Sequence, residues 1–500
     1  MRAPFRYSTI LSALLILVLL PVYLLTLLHG PGDHPDTAKF QFVAYILGTP
    51  HAPGYPTYLV FTHFFVKLFP FGSLAYKVNL LSAIFSLCTC WILFRILLVL
   101  EVTPFIAFLT AFMFGLTQTF WSQSIIAEVY ALNALFVALS IFFFAQWHLT
   151  RRDHFLIAAC AIYAFSFGNH LTMVTFLPAI VFLVCATDPG VFLKPRLVVP
   201  IALLILLAAL QYYYPLWRYN DPTTLYLDMQ TPNLRKLIYA VTGGHFKSQM
   251  FAFSFSEILH KRIPMTARLI VNEYSFVIPL ILFGICWFRH RVLQVFFLLS
   301  ITGNIFWALN YNIPDIYVYF IPSYLLMAIY AGVGLQALLK GSTVRIVAPA
   351  ACLIPVLFLF MNYNEVDQSR NTAGEQAAAI LRSAGSRAVV FGKGRPLPKM
   401  YFFYYLYGEE LYKKQLYVVK FTRNFLLHYV FDKRPYHVRE LRRNIPPGLT
   451  IYCTTPEQKS LFQSLGFLTQ RAGPGVYRVI ATNAIHRPKS IGAEEDEEED

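Results

Sequence analysis

Long apolar runs constrain this chain more than any other feature of its sequence. A helix needs about 20 mostly apolar residues to cross a bilayer, and roughly eleven runs approach that length. The chain is 57% hydrophobic and 13% charged, whereas soluble domains carry about 25% charged residues. The sequence therefore predicts a mostly α fold, a polytopic membrane helical bundle, and excludes an ordinary soluble protein.

The first of these runs is too long and too rich in leucine for a typical signal peptide, so we expect it to be a retained span. The predicted spans lie near residues 8–28, 76–99, 104–120, 128–147, 154–169, 171–187, 197–214, 273–289, 292–309, 317–339 and 344–361.

Basic residues in the short loops predict the orientation, because cytoplasmic loops carry an excess of Lys and Arg. With the N-terminus inside, every inner loop is basic. The residues concerned are Arg2, Arg6, Arg95, Arg151, Arg152, Lys194, Arg196, Arg289, Arg291, Lys340 and Arg345. The loops at 29–75, 121–127, 214–272 and 310–316 then lie outside, together with everything after residue 361.

The sequence predicts a multi-span membrane domain at 1–361, an outer soluble α/β domain at 362–490 and a disordered acidic tail at 491–500. In the α/β domain we predict strands at 387–391, 415–420, 449–454 and 476–480, and helices at 375–383 and 456–465. The domain holds 20 Lys and Arg against 8 Asp and Glu. This balance favours a surface facing anionic membrane lipid. Nucleic acid is not an expected partner on an outer face.

The first outer loop, 32–56, is polar between apolar neighbours, so it is the first place to expect chemistry. Asp36 and Lys39 share a face if this segment is helical. The carboxylate could act as a general base beside a cation that binds an anion, or the two could form a simple surface ion pair. His51 and Tyr55 lie in HAPGYP, whose prolines and Gly54 predict a fixed turn. That turn could aim both side chains or only return the chain to the membrane.

Four further polar residues lie at predicted span ends, each with a structural alternative. Glu128 could bind substrate or stabilise the start of its helix, and Asp315 could likewise be a cap. His170 follows Gly168-Asn169 in a short turn, where a polar cap is the commoner role. Arg218 could bind phosphate as a fork or stack on Trp217.

These residues share the predicted outer face. Independent helix caps would be expected at both ends of the spans, so the one-sided distribution favours a shared polar cavity at the outer boundary. The residues are Asp36, Lys39, His51, Glu128, His170, Arg218 and Asp315.

Several ordered motifs resemble those of a known family. The run D-T-A-K-F at 36–40, followed by H-A-P-G-Y-P at 51–56, resembles the N-terminal signature of polytopic proteins related to protein O-mannosyltransferases. The usual form of that signature is D-S-x-E-F followed by H-P-P-G-Y-P. Further matches lie at 70–83, 120–136, 168–172 and 311–322. The resemblance covers about residues 1–340 and leaves the C-terminal region without a match.

That family is similar to the GT-C glycosyltransferases, multi-span enzymes that use sugars carried on polyprenyl phosphate or pyrophosphate. The resemblance implies that the acidic catalytic residue of the first outer loop is Asp36. The glutamate that the family carries three residues later is Lys39 here. A lysine favours phosphate binding and argues against a metal ion held by this pair. No cofactor or metal site is predicted, and dependence on a divalent metal is left open.

We therefore predict an integral-membrane glycosyltransferase of GT-C type. It would move a sugar, mannose or another hexose, from a lipid-linked polyprenyl-phosphate donor to an outer acceptor such as protein Ser/Thr, lipid or glycan. Asp36 would be the base. Lys39, His51, Tyr55, Glu128, His170, Arg218 and Asp315 would contact substrates.

The alternative class is a transporter or flippase of lipid-linked precursors, which predicts charges deep inside spans. A third possibility is a membrane scaffold with an outer binding domain, which leaves the Asp36 loop without a role. The compact loops favour the bacterial inner membrane, with the N-terminus cytoplasmic and the C-terminal domain periplasmic.

The predicted orientation can be tested by cysteine accessibility. Reporter cysteines in 214–272, and Cys453, should react with a membrane-impermeant maleimide from outside, because the basic loops place these regions there. Reporters at 150–153 and 289–291 should react only after permeabilisation. Labelling of the C-terminal domain only from inside would contradict the orientation.

Overall fold

The computed structural model describes residues 2–32, 35–339, 344–392, 399–420, 436–438, 443–445, 448–473 and 475–480. The chain forms two compact units. The first comprises Met1–His29, Val43–Thr223 and Asp228–Asn371, and the second comprises Gly30–Phe42, Thr224–Leu227 and Thr372–Asp500. The predicted acidic tail lies outside the described residues.

The first unit is helical. Its helices are α1 (Arg2–Thr26), α3 (Pro56–Leu68), α4 (Leu74–Val99), α5 (Pro104–Gly115), α6 (Gln118–Ser124), α7 (Val129–Thr150), α8 (Asp153–Ser166), α9 (Leu177–Thr187), α10 (Pro195–Leu210), α11 (Tyr213–Asn220), α12 (Leu234–Val241), α13 (Phe255–Glu257), α14 (Ile263–Tyr274), α15 (Ile278–Trp287), α16 (Arg291–Leu309), α17 (Ile321–Leu338) and α18 (Val344–Val366). Helix α2 (Pro35–Val43) begins in the second unit.

Within the described residues, eight helices are long and apolar enough to cross a membrane, and α5 with α6 forms a bent pair that would make a ninth span. Two shorter apolar helices, Asp153–Ser166 and Leu171–Thr187, coincide with two further predicted runs. The count is broadly that predicted. The chain is an integral, multi-pass membrane protein.

The predicted span at 104–120 is interrupted, because α5 and α6 meet at an angle of 71°. The first N–H groups of any helix need acceptors outside it, and hydrocarbon offers no water. The hydroxyl of Thr117, just before α6, instead donates to the carbonyl of Phe114 at 3.0 Å. The buried carboxylate of Glu273 accepts the N–H of Thr119 at 3.0 Å. A residue of α14 thus caps α6 and stabilises the break.

Helices α15 and α17 pack through glycines. A Cβ atom added at Gly284 would overlap the carbonyl oxygen of Tyr330, and one added at Gly334 would overlap that of Leu280. Small residues let helix backbones approach closely, which is a common source of packing energy between membrane helices. This contact lies within the large apolar core of the first unit.

The second unit contains a five-stranded sheet of order β2-β1-β5-β7-β6. Strands β2, β1 and β5 are parallel to one another, and β7 runs antiparallel to both of its neighbours, β5 and β6. The strands are β1 (Ala388–Gly392), β2 (Leu416–Lys420), β3 (Tyr436–Val438), β4 (Arg443–Ile445), β5 (Thr450–Cys453), β6 (Leu468–Gly473) and β7 (Val476–Ile480). Strands β3 and β4 form a separate pair. The helices are α19 (Glu375–Ala384), α20 (Lys399–Phe403) and α21 (Pro456–Ser464).

All four predicted strands and both predicted helices of this region are present, whereas β3, β4 and β6 were not predicted. Helix α18 continues to Val366, beyond the predicted end of the membrane domain at residue 361. The domain boundary itself stays a prediction. Cys453 is fully buried. It is therefore a poor reporter for the maleimide labelling described above, and that test needs cysteines introduced on the surface of the C-terminal region.

The packing of these glycines predicts different effects for two glycine-to-alanine substitutions. Gly284→Ala should lower the melting temperature, because backbone of α17 blocks the new methyl group and overpacking costs about 1–3 kcal/mol. Gly332→Ala, also in α17, should be much milder. Its Cβ would meet side-chain atoms, with Leu97 Cδ2 at 2.8 Å, and alanine gains about 1 kcal/mol in helix propensity. Equal melting temperatures for the two variants would contradict this account.

Candidate active site

The HAPGYP segment before α3 forms the predicted turn. The N–H of Gly54 donates to the carbonyl of His51 at 2.9 Å, and Gly54 has a φ of +94°, which glycine tolerates well. Tyr55 follows with a φ of +46°, an uncommon conformation that its surroundings must maintain. The phenol of Tyr55 and Nε2 of His51 share a hydrogen bond of 2.9 Å. The turn thus brings these two predicted residues together.

His170 lies among three tyrosines. Its ring centroid is 6.5 Å from that of Tyr55, 5.4 Å from Tyr130 and 5.2 Å from Tyr319. Its Nδ1 accepts the N–H of Thr172 at 3.4 Å and lies 2.7 Å from the hydroxyl of the same residue. The capping role considered for His170 is therefore present. Acceptance at Nδ1 leaves Nε2 to carry the ring proton.

The environment of His170 keeps it neutral. Burial, and then the charge of nearby His51, lowers the pKa of His170 from the ordinary 6.5 to about 4. A neutral imidazole can donate and accept hydrogen bonds, but it offers no positive charge at pH 7. This suits contact with hydroxyl groups better than neutralisation of a phosphate.

Two carboxylates border the tyrosines. The hydroxyl of Tyr130 donates weakly to Asp315 Oδ2 at 3.4 Å. Glu128 is buried and close enough to Tyr130 and Tyr58 to act on them electrostatically. Burial, and then this carboxylate, raises the pKa of Tyr58. Both residues occupy the N-cap position of the helical segment that follows them, as the structural alternative expects, but among the described residues neither side chain forms a capping hydrogen bond.

The structure thus groups five of the predicted residues in the first unit. We call this group, with two tyrosines that the sequence did not single out, the polar cluster: His51, Tyr55, Glu128, Tyr130, His170, Asp315 and Tyr319. Tyr130 lies two residues after Glu128, and Tyr319 four after Asp315. The density of tyrosine beside those carboxylates was the signal that could have identified them.

Arg218 has other contacts. Its Nε donates to the carbonyl of Leu47 at 2.7 Å, and its guanidinium forms an ion pair with Asp221. The guanidinium also lies over the ring of Trp217, 5.1 Å from the centroid, which is the stacking considered from the sequence. These contacts anchor the end of α11 to the loop after α2.

Asp36 and Lys39 lie in the second unit, on α2. The Lys39 Nζ is 3.2 Å from Asp36 Oδ1, so the two share a helix face as predicted. The Lys39 side chain is 8% exposed and that of Asp36 is 32% exposed. Asp36 lies in the first turn of α2, where a negative charge interacts favourably with the helix dipole. The pair offers an accessible carboxylate beside a largely buried ammonium group.

Within the described ranges, the structure contains no group of three or more His, Cys, Asp or Glu side chains that could hold a metal ion.

The buried state of His170 predicts a pH dependence of stability. A lowered pKa in the folded state means that unfolding takes up a proton below pH 6.5. The contribution of neutral His170 to the free energy of unfolding is therefore complete above about pH 6.5. It is lost as the pH falls toward 4, with a slope of up to about 1.4 kcal/mol per pH unit. Melting temperatures of His170→Gln should fall less steeply than those of wild type over this range. His260→Gln, at an exposed site, should retain the wild-type slope. An unchanged slope in His170→Gln would contradict the burial argument.

Comparisons with known proteins agree with the resemblance seen in the motifs. Residues 36–190 match the family described as Protein O-mannosyl-transferase TMEM260 N-terminal domain. The chain is 34% identical over 165 residues to Protein O-mannosyl-transferase TMEM260 of Mus musculus, covering 32% of this chain and 23% of the mouse protein. It is 26% identical over 131 residues to Protein O-mannosyl-transferase tmem260 of Dictyostelium discoideum, covering 25% of this chain and 16% of that protein. The chain thus spans less than a quarter of either relative.

Solved structures extend the comparison to the fold. ArnT from Cupriavidus metallidurans in the apo state gives a TM-score of 0.61 at 10% identity, covering 95% of this chain and 98% of ArnT. The same protein bound to undecaprenyl phosphate gives 0.63 at 11% identity, covering 93% and 97%. At such low identity the likeness establishes the fold alone. The chain therefore has the GT-C-like membrane fold that its sequence predicts, and residues 36–190 are similar to the N-terminal domain of protein O-mannosyl-transferase TMEM260.

Proposed function

We propose that this chain is a membrane glycosyltransferase of GT-C type, which moves a hexose such as mannose from a polyprenyl-phosphate donor to a hydroxyl group of an outer acceptor. One observation carries the proposal. The segment similar to a protein O-mannosyl-transferase domain, 36–190, contains six of the eight predicted site residues: Asp36, Lys39, His51, Tyr55, Glu128 and His170.

The fold and Lys39 both support the proposed donor class. ArnT, which shares the fold, has been solved with undecaprenyl phosphate bound. An ammonium group can stabilise the negative charge that develops on a leaving phosphate. Lys39 stands where the related family has a glutamate, and it contributes that cation here.

The reaction requires one proton transfer. The acceptor hydroxyl oxygen bonds to the anomeric carbon, the bond between that carbon and the phosphate oxygen breaks, and the polyprenyl phosphate leaves with the bonding electrons. The hydroxyl proton passes to the Asp36 carboxylate, which acts as general base. The polar cluster is rich in neutral donors and acceptors, and it serves to bind hydroxyl groups of sugar or acceptor. Arg218 anchors the outer loop and is the weakest candidate for direct substrate contact.

The acceptor is a protein Ser/Thr, a lipid or a glycan on the outer side of a bacterial inner membrane. The N-terminus is cytoplasmic and the C-terminal region periplasmic, which accords with the alternating basic loops. A periplasmic location places the donor headgroup and the acceptor on the same side. Mass spectrometry of glycoproteins and glycolipids from cells with and without the gene would identify the sugar and the acceptor.

The role of Asp36 can be tested directly. Asp36→Asn should lower transfer of labelled sugar from a polyprenyl-phosphate donor by about 10²–10⁴, because the amide cannot accept the proton. Lys39→Ala should mainly weaken donor binding. Lys39→Glu should also lose activity, through repulsion of the phosphate.

Asp153→Asn is the matched control. Asp153 also lies in the first turn of a helix and pairs with a cation, Arg196, at 3.0 Å, yet it lies outside the proposed site. This variant should retain transfer within a few-fold. Wild-type rates in monodisperse Asp36→Asn protein would remove the catalytic assignment. Movement of a lipid-linked precursor across vesicles without sugar transfer would favour the transporter alternative.

A further inference from the structure

The C-terminal end of α2 is enclosed by aromatic side chains that come from distant parts of the sequence. Phe42 lies 5.1 Å from Tyr226, 5.4 Å from Tyr407 and 6.4 Å from Phe403, between ring centroids. All four side chains are almost completely buried. We call these four residues the aromatic cluster. Aromatic pairs at such distances contribute beyond their burial alone.

Polar contacts fix the geometry of the aromatic cluster. The hydroxyl of Tyr407 donates to the carbonyl of Leu225 at 3.3 Å. The hydroxyl of Tyr226 lies 3.8 Å from the sulfur of Met400. Both contacts join the 224–227 segment to α20 or the π-helical turn after it, Tyr404–Gly408. The rings therefore meet in a defined arrangement.

The other end of the Asp36 segment is also held. Pro31 packs so closely on Gly374, just before α19, that a Cβ atom on Gly374 would overlap the proline ring. The side chain of Gln41 accepts the N–H of Gly32 and donates to the carbonyl of Gly30, each at 3.2 Å. The loop at 30–32 is thus tied both to α2 and to the C-terminal region.

Helix α2 has nine residues, and isolated helices shorter than about 12–15 residues are marginal in water. Its order must therefore come from packing. The packing partners within the second unit hold it at Pro31 and at Phe42, and Asp36 and Lys39 lie between these two points.

We infer that the C-terminal region positions the Asp36–Lys39 pair, with Phe403, Tyr407 and Gly374 as positioning residues that touch no substrate. The inference rests on the proposed function for the role of Asp36. It assigns the C-terminal region, which lies outside the matched segment 36–190, a part in the same reaction. Phe403 and Tyr407 act through Phe42, and Gly374 acts through Pro31.

Hydrogen exchange of the full-length protein in nanodiscs tests the placement without any activity. In Phe403→Ala/Tyr407→Ala, amide exchange across residues 35–43 should rise at least about tenfold, because the helix loses its packing. Tyr407→Phe keeps the ring and should restore most of the protection. Phe462→Ala is the matched control. It removes a buried ring of the same unit, 5.9 Å from Phe391 and 5.6 Å from Phe467, and should leave exchange at 35–43 unchanged.

Sugar transfer then tests whether the positioning matters for the reaction. The double variant should lose transfer by about tenfold or more in the wild-type background and should lose little further in the Asp36→Asn background. Residues that act through one another give such non-additive effects. A merely structural defect would lower both backgrounds alike. If wild-type protein transfers no sugar, the proposed function fails, whereas the exchange data still decide the placement.

Gly374→Ala tests the same inference if the double variant does not fold. The new methyl group should displace Pro31 and raise exchange at 35–43. Gly30→Ala is its control, since nothing lies within 4 Å of the added Cβ. Unchanged protection of 35–43 in folded Phe403→Ala/Tyr407→Ala or Gly374→Ala protein would overturn the inference, and so would additive losses of transfer in the Asp36→Asn background.

Discussion

The helical unit depends on polar groups that satisfy one another, because hydrocarbon supplies no water to do so. The hydroxyl of Tyr23 donates to the carbonyl of Gly115 at 2.8 Å, and the indole N–H of Trp121 donates to the hydroxyl of Thr26 at 3.1 Å. Together with the cap that Glu273 provides, these bonds join α1, α5, α6 and α14. Helix α6 leads directly toward Glu128, so the same bonds support the polar cluster.

The two compact units carry different chemistry. The polar cluster of the first unit combines phenols, a neutral imidazole and two carboxylates, which are groups suited to hydroxyl recognition. The second unit carries the Asp36–Lys39 pair, in which an accessible carboxylate adjoins a cation. In the proposed reaction, proton removal and phosphate stabilisation fall to this pair, and recognition of hydroxyl groups falls to the cluster.

Local patterns predicted most elements because they depend on neighbouring residues. The strands β1, β2, β5 and β7 are short β-branched or aromatic runs bounded by polar residues. Strand β6, with the sequence LTQRAG, lacks such a pattern and exists through pairing with β7. The break between α5 and α6 was missed for a similar reason. The apolar pattern continues through it, and the group that stabilises the bend is Glu273, 154 residues from Thr119.

The sequence by itself determined that the chain is a polytopic membrane protein. Its apolar runs are long enough to cross a bilayer, and its charged residues are too few for a water-soluble surface. It also determined the HAPGYP turn and the shared face of Asp36 and Lys39, since each depends on residues within one turn or loop. Only the tertiary structure decided that His170 is a neutral cap among tyrosines, that Arg218 is engaged by Leu47 and Asp221, and that Phe42 packs on Phe403 and Tyr407. These outcomes depend on burial and on contacts between distant segments, which no local pattern encodes.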